Sequence, residues 1–375
     1  MTKDKTLNIF FALPTGVLGG AERIVFNLAM MLLKNGHYVT IYIMSRGEQA
    51  GWEHLKSYPR LTLIVKNYGS EKTSLPAFLF NLFYLSYNHN YDYALSSHSH
   101  INGVLSFMRK IKLFKTSFLI SRESTFVFER YFGFWRYIFK FIYKYMYGAQ
   151  DLLICQTENM KLSLIENLGY KPAKKVEVIP NFVNIDFILK QINSSKLNDK
   201  PFPFLIVACG RLIPLKKFDN LIEAFSDIHH NFPQVGLVII GDGPEREKLE
   251  KMVSSKKITY KVIFTGKISN PIQWFNKANL GVISSEIEGF PNVLIEMMAS
   301  GTSHIITTPC TDGVKDIPNI TITESCTVDS LKSSLVSLLT NPIDNSLSNI
   351  KYINDYRSVD SFWKKIKAFT NENTN

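Results

Sequence analysis

LGVISSEIEGFPNVLIEMMASG, Leu280 to Gly301, is the stretch from which the fold can be read. An apolar run, Leu280 to Ile283, reads as a buried strand and ends in a short polar loop. Glu288 and Glu296 frame a segment that then turns helical. Asn292 is the expected N-cap, and the helix runs through Leu294, Ile295, Met297, Met298 and Ala299 to a stop at Gly301. Glu296 falls among apolar neighbours, where an unpaired carboxylate is costly, so it is expected to bind something.

The same strand–loop–helix alternation extends in both directions. After the polar, Pro-containing segment 191–203, strands are expected at Phe204–Ala208, Gly236–Ile240, Val262–Phe264, Leu280–Ile283 and His304–Thr307, with helices between them. Before it, Leu7–Leu13 is a strand, TGVLGGAER a Gly-rich crossover and Ile24–Lys34 a helix ended by Asn35-Gly36. Val39–Met44, Leu61–Val65, Asp92–Ser97, Ser117–Ile120, Leu152–Gln156 and Val176–Ile179 continue the series. Alternation of this kind implies two parallel, doubly wound sheets. The expected division is a first domain over 1–190, a linker over 191–203 and a second domain over 204–354, with a closing helix near 355–375 packing back on the first. Ligands bind outside the carboxyl ends of such strands. The polar residues that end the strands here are Gly19-Gly20, His98 and His100, Arg122-Glu123, Arg211, Asp242, Lys267 and Glu288.

Composition narrows the function classes. No apolar run is long enough to span a bilayer, and the start, MTKDKTLNIFFALP, enters a strand at once, so the expectation is a protein inside the cell. Cys155, Cys209, Cys310 and Cys326 show no paired spacing; Cys155 and Cys209, in or beside strands, read as buried free thiols. The net charge of +11 is local. Residues 1–200 carry 25 Lys/Arg against 14 Asp/Glu, whereas residues 201–375 carry 18 of each. Residues 101–150 alone hold nine basic and two acidic side chains.

Several loops could carry chemistry. In GRLIPLKKFD, Gly210 to Asp219, Arg211 follows a strand and Lys216 precedes a helix. A guanidinium and an ammonium at a helix N-terminus suit a phosphate, although a solvated loop with two ordinary charges has the same pattern. VIIGDGPEREKLE, Val238 to Glu250, reads on its own as a strand–turn–helix junction. GVLGGAE, with Gly16, Gly19 and Gly20, is not the G-x-G-x-x-G dinucleotide fingerprint, and the next strand ends in Ser45-Arg46 without the acidic residue a ribose contact needs. No Walker A sequence and no Asp-x-Asp occurs. His98 and His100 end a strand, with no third ligand at metal spacing.

Taken together, E-x7-E as EGFPNVLIE with MMASG after it, GRLIPLKKFDNLIEAF, GDGPEREKLE, LGGAERIV and VIPNFVNID resemble the retaining, nucleotide-sugar-dependent glycosyltransferases of family 4. Five motifs in the expected order cover nearly the whole chain. The resemblance implies an α/β, GT-B fold: two Rossmann-like doubly wound domains facing each other across a cleft. It implies that Arg211 and Lys216 hold the donor diphosphate, that Glu296 binds the ribose hydroxyls and that Glu288 contacts the donor sugar. The backbone of Phe290, Pro291, Asn292 and Val293 would help hold sugar and phosphates. Gly19 and Gly20 would close on the diphosphate, and Lys267 lies where such enzymes meet the base. His98 and His100 are both candidates for the catalytic-domain histidine. Two departures stand out: Lys217 where the family usually has glycine, and TSHIIT, with His304, where it usually has P-V-I-A-T.

The implied reaction moves a sugar from a nucleoside diphosphate, with uridine the expected base, to an acceptor hydroxyl with retention of configuration. No cofactor and no metal is implied, the donor being a co-substrate. DYALSSHSHIN and LISRES resemble a subgroup acting on bacterial surface glycans such as O-antigen, lipopolysaccharide and capsule, with a glycan or polyprenyl-diphosphate-linked acceptor. A nucleotide-sugar epimerase of the same fold and a non-catalytic nucleotide-sugar-binding scaffold are the alternatives.

FVFERYFGFWRYIFKFIYKYMYG, Phe126 to Gly148, interleaves Arg130, Arg136, Lys140 and Lys144 with aromatics. That chemistry suits an anionic membrane surface, and the same pattern suits a helix with an aromatic core face and solvated basics. The expectation is a peripheral protein at the inner face of the cell membrane that does not bind nucleic acid.

Overall fold

The structure, a computed structural model, describes residues 5–45, 52–195, 197 and 199–371. Met1 to Asp4 and Arg46, both used in the sequence reading, lie outside the described residues. The chain divides into two compact units, residues 1–181 with 359–375, and residues 182–358.

The first unit is built on a seven-stranded sheet in the order β3-β2-β1-β4-β5-β6-β7, with every pairing parallel. Its strands are β1 (Asn8–Thr15), β2 (Tyr38–Ser45), β3 (Leu61–Val65), β4 (Tyr91–Ser96), β5 (Thr116–Arg122), β6 (Leu152–Cys155) and β7 (Lys175–Val178). Its first helices are α1 (Gly20–Lys34), α2 (Glu71–Asn88), α3 (Ser99–Lys110), α4 (Val127–Arg130), α5 (Gly133–Phe141) and α6 (Glu158–Leu168). The aromatic segment is therefore not one helix. It breaks after Arg130, restarts at Gly133, and passes at Ile142–Met146 into a π-helical turn. α3 begins at Ser99, directly after β4, so both histidines of SSHSH sit at its start.

The second unit has a six-stranded parallel sheet in the order β10-β9-β8-β11-β12-β13. Its strands are β8 (Phe204–Cys209), β9 (Val235–Ile240), β10 (Val262–Gly266), β11 (Leu280–Ile283), β12 (His304–Thr307) and the two-residue β13 (Thr321–Ile322), which has too little sequence to announce itself. The helices are α7 (Ile185–Asn193), α8 (Phe218–Ile228), α9 (Arg246–Ser255), α10 (Ile272–Lys277), α11 (Asn292–Ala299), α12 (Val328–Thr340) and α13 (Ser346–Tyr356). Strand periodicity sorts the core into two layers. Ile206 and Ala208 pack on one face with α8 and α12, while Leu205 and Val207 pack on the other with α10 and α11.

The change of unit falls at Asn181/Phe182, ahead of the expected first-domain limit of 190. Val183 and Ile188 are buried in the second unit's core, so the apolar face of α7 belongs there rather than to the first domain. The polar stretch 191–203 thus begins inside α7, in the same unit as β8. α14 (Val359–Asn371) returns to the first unit: Trp363 packs edge-on against Tyr93 with centroids 5.0 Å apart, and the Tyr93 hydroxyl donates to Thr370 Oγ1 at 3.1 Å.

Candidate functional site

In the second unit the sheet order reverses between β8 and β11, which makes the carboxyl ends of those strands the switch point of the fold. Three loops meet there through their backbones. Leu212 N–H donates to Asp242 O at 3.0 Å, Glu245 N–H to Leu212 O at 3.0 Å, and Gly241 N–H to Gly266 O at 3.0 Å. The glycines of GDGPE exist for this approach. A Cβ on Gly241, whose φ is +139°, would lie 1.9 Å from Gly210 O, and one on Gly243 would lie 2.4 Å from Leu212 O. A motif that reads alone as an ordinary turn is the backbone seat of the Arg211 loop. The Arg211 side chain is exposed, and so is Lys267, which follows β10.

Lys216 closes a short 3-10 turn, Pro214–Lys216, and is zipped to the loop after β11. Ser284 Oγ donates to Lys216 O at 2.7 Å, and Glu286 N–H donates to Leu215 O at 2.9 Å. The Lys216 ammonium pairs with Glu288 Oε1, which also accepts from Ser285 Oγ at 2.7 Å. The Glu288 backbone N–H donates to Cys310 O at 2.9 Å. The first carboxylate of E-x7-E is thereby fixed beside the ammonium of the preceding motif.

Lys217 has φ +48° and ψ +40°, the left-handed region. That geometry is the physical reason for a glycine at this position. The lysine offsets part of the strain by pairing with Glu286 Oε2 at 3.0 Å, and this partner holds the Lys217 ammonium above its usual range.

Asn292 is the first residue of α11 rather than its N-cap: Pro291 takes that position and offers no side-chain acceptor to the first turn. Helix N-termini carry amide donors that suit an anion. Phe290 is buried, and Leu294, Ile295, Met297 and Met298 seat the helix on the sheet. Gly281 admits Met297 Sδ, which would lie 2.5 Å from any Cβ there. Glu296 is half-buried on this helix. Arg357 is a residue the sequence reading missed. It is buried, its guanidinium lies 5.4 Å from the Phe290 ring centre, and its Nε donates to Tyr352 at 3.1 Å. It sits at the end of α13, far in sequence from any motif.

In the first unit the strand order reverses between β1 and β4. Gly19 is the N-cap of α1, and His98 is the N-cap of α3. His98 Nε2 lies 3.1 Å from Glu22 Oε1, and Glu22 is itself buried. A Cβ on Gly19 would fall 2.7 Å from Glu22 Oε2. Gly19, Gly20, Glu22 and His98 therefore belong to one cluster. His100 adjoins it, with its ring centre 6.1 Å from that of His98, but pairs elsewhere: its Nε2 lies 3.1 Å from Glu71 in the first turn of α2, and that hydrogen bond holds the Glu71 carboxyl below its usual range. Glu22 lies in the quoted LGGAERIV, yet nothing in its spacing distinguishes it from a solvated first-turn acid.

Beyond His98, the carboxyl ends of β5 to β7 carry a fully buried polar cluster. Glu123 accepts from Ser99 Oγ and, at 2.8 Å, from Tyr147 OH; burial pushes its carboxyl up. Arg122 donates to Asn181 Oδ1, and burial pulls its guanidinium down to about 10. Asn181 Nδ2 in turn donates to Gln156 Oε1 at 3.0 Å.

Some features lie away from these sites. A surface hollow lined by Phe204, Asn279, Leu280, His304 and Leu338 is at the opposite, amino end of the second sheet's strands. His304 belongs there, hydrogen-bonded to Thr321 Oγ1 at 2.9 Å, which accounts for its departure from the motif. All four cysteines are free; Cys155 is buried, while Cys209 is only half-buried. Among the described residues no three His, Cys, Asp or Glu side chains cluster as metal ligands would, and no helix is long and apolar enough to cross a membrane.

Comparison with known proteins agrees with this geometry. Residues 18–187 match the family described as Glycosyltransferase Family 4, and residues 189–354 match Glycosyl transferases group 1. The chain belongs to these glycosyltransferases. An uncharacterized glycosyltransferase of Methanocaldococcus jannaschii is 30% identical over 190 residues, which are 48% of this chain and 46% of that one. The N-acetylgalactosamine-N,N'-diacetylbacillosaminyl-diphospho-undecaprenol 4-alpha-N-acetylgalactosaminyltransferase of Campylobacter jejuni is 29% identical over 174 residues, 46% of this chain and 44% of that one. The matched stretches thus span less than half the length of these relatives. The crystal structure of Anabaena HepE in complex with UDP matches over 98% of this chain and 100% of that one, with a TM-score of 0.77 and 16% identity. At that identity the likeness concerns the fold, which is GT-B: two parallel-sheet Rossmann-like units.

Proposed function

We propose that this protein transfers a sugar, with retention of configuration and without a metal, from a uridine-diphosphate sugar to a hydroxyl of a lipid-linked oligosaccharide in surface-polysaccharide assembly. The observation that carries the reading is the second unit's switch point. There Arg211, Lys216, Glu288 and the N-terminus of α11 are drawn to one set of strand ends by laced backbone and by the Lys216–Glu288 pair. Arg211 and Lys216 hold the diphosphate, and amide donors of α11 add to them. Glu296 takes the ribose hydroxyls and Glu288 the sugar. The leaving phosphate oxygen takes the acceptor proton on the same face, so no enzymic nucleophile is used, and the protein contributes orientation and charge stabilisation. His98, held by Glu22, serves the acceptor side, whereas His100 is occupied with Glu71.

The Campylobacter relative's name specifies a diphospho-undecaprenol acceptor, and the Anabaena structure holds UDP. Both support the choice of donor and acceptor class. A lipid-linked acceptor goes with peripheral attachment to the inner face of the membrane through residues 126–148.

Thermal shift against UDP and UDP-sugars tests the donor. Stabilisation by UDP is expected, since a ligand of the folded state raises its apparent stability. Arg211→Ala and Lys216→Ala should each lower kcat/KM by about tenfold or more. Unchanged kcat/KM in both variants contradicts the assignment. Turnover of donor without any acceptor would instead mark an epimerase.

A further inference from the structure

We propose that α2, a helix outside the 126–148 segment, inserts aromatic side chains into an anionic lipid bilayer, as part of one lipid-facing surface shared with α5 and the turn after α3. The inference rests on the membrane reading above and extends it to elements that reading does not include.

α2 is apolar on two opposite sides. Phe78, Leu82 and Leu85 are buried against the sheet. Phe80, Phe83, Tyr84 and Tyr87 are exposed at 70%, 47%, 60% and 79%. Positions 80, 83, 84 and 87 form one helical stripe. A water-facing helix keeps that side polar. Scattered single apolar residues need no explanation, but four aromatics in one stripe do. α5 and its π-helical extension carry a second stripe of exposed aromatics, Phe134, Tyr137, Phe141 and Tyr145.

Three contacts join these stripes. Lys72 Nζ, in the first turn of α2, lies 5.5 Å from the Trp135 ring centre. At the other end of α2, Lys115 N–H donates to Ser86 Oγ at 2.9 Å, which seats the turn after α3 beside it. Lys110, which ends α3, donates to Tyr145 O at 3.2 Å. Phe107, Ile111 and Leu113 are exposed along this third edge.

Charge selects the occupant. Residues 71–150, from the first residue of α2, hold ten Lys/Arg and four Asp/Glu. Of the four acids, Glu123 is buried, Glu71 pairs with His100, Asp92 accepts from Asn8 N–H at 2.8 Å and from Lys5 at 3.3 Å, and Glu129 is exposed. Arg136 and Arg109 turn inward, to Asn167 and to Asp151, so the sequence reading of Arg136 as a surface cation is corrected. Lys72, Lys112, Lys115, Lys140 and Lys144 remain exposed among the aromatics. Protein interfaces are depleted in lysine, whereas lysine beside Trp, Tyr and Phe is the chemistry of a phospholipid headgroup layer.

The test is sedimentation of the full chain with vesicles. Wild type is compared with Phe80→Ser/Tyr84→Ser/Tyr87→Ser in α2 and Phe134→Ser/Tyr137→Ser/Phe141→Ser in α5, with thermal melting as the control for folding. Wild type should bind phosphatidylcholine vesicles containing about a third phosphatidylglycerol, less so in high salt, and pure phosphatidylcholine weakly. Each triple variant should melt as wild type and lose about tenfold or more in partitioning. Should a triple variant melt early, Phe80→Ser and Tyr87→Ser singly take its place, each expected to lose about threefold. An α2 variant that partitions like wild type while the α5 variant does not overturns this proposal and leaves the 126–148 reading standing. Wild type that binds no vesicle overturns both. Wild type that self-associates without vesicles and becomes monomeric in the α2 variant overturns the α2 proposal, since that face is then a contact between copies.

Discussion

The two sheets reverse strand order in the same way, yet their switch points are assembled from different materials. In the second unit the loops after β8, β9 and β10 are joined backbone to backbone, and the joints require missing side chains at Gly241 and Gly243. In the first unit they are joined side chain to side chain, His98 to Glu22 and Ser99 and Tyr147 to Glu123. Under the proposed function the second site takes a diphosphate, which looks the same in every nucleotide sugar and suits fixed backbone, and the first takes an acceptor, which differs from enzyme to enzyme and suits side chains that can change. Arg211, Lys216 and Glu288 fall in quoted motifs, whereas the pairing of His98 with Glu22 has no spacing that announces it.

The contrast breaks first at Gly241. Gly241→Ala should cost about 3 kcal/mol or more and abolish UDP binding, because its Cβ meets the backbone oxygen of Gly210, which cannot swing away. A melting curve near wild type would mean the loops are not laced. The next effect belongs to the first unit. Glu123 has a raised carboxyl pKa, so the folded state keeps a proton that the unfolded chain gives up near the ordinary value of 4.5. Stability contributed by that proton is complete below 4.5 and falls as pH rises toward the folded value. Glu123→Gln should remove this decline, and parallel denaturation profiles of the two proteins against pH would refute it. Gly19→Ala is a smaller perturbation, under about 1 kcal/mol, since its Cβ meets only the end of the Glu22 side chain. It should lower transfer more than stability by moving Glu22 away from His98; equal activity would separate that pair from the reaction. Smallest is Lys217→Gly. Release of left-handed strain, less the lost pair with Glu286, should leave stability unchanged or raise it by up to about 1 kcal/mol, read by urea unfolding. A clear loss would mean the pair outweighs the strain.

Legibility followed the same division. Strands such as Leu280–Ile283, LGVI, and His304–Thr307, HIIT, were readable because a short run with β-branched residues at its centre, set between turn signals, leaves little choice. The crossover helices were readable from their periodicity, although Asn292 was misplaced by one residue because Pro291 takes the cap. β13 pairs through only two residues and carries no pattern. α7 was missed in the sequence reading, and its last residues were given to the linker, because the polar residues that follow it resemble a linker more than its Ile185, Ile188 and Ile192 resemble a core face. Arg211, Lys216, Glu288 and Glu296 could be named from motifs. Glu123 could be named only as a strand-end residue, and Glu22 and Arg357 were not singled out, because each matters through a partner distant in sequence, Tyr147, His98 and Phe290.

The central claim is that the two carboxylates of E-x7-E divide their work, Glu296 holding the nucleoside and Glu288 the sugar. Calorimetric titration of UDP into wild type, Glu296→Ala and Glu288→Ala tests it most directly, paired with transfer rates at saturating donor. Glu296→Ala should weaken UDP binding by about tenfold or more, a charged hydrogen-bond pair being worth that much, while Glu288→Ala binds UDP with little change and loses kcat. UDP affinity unchanged in Glu296→Ala, or lost in Glu288→Ala alone, would contradict the account.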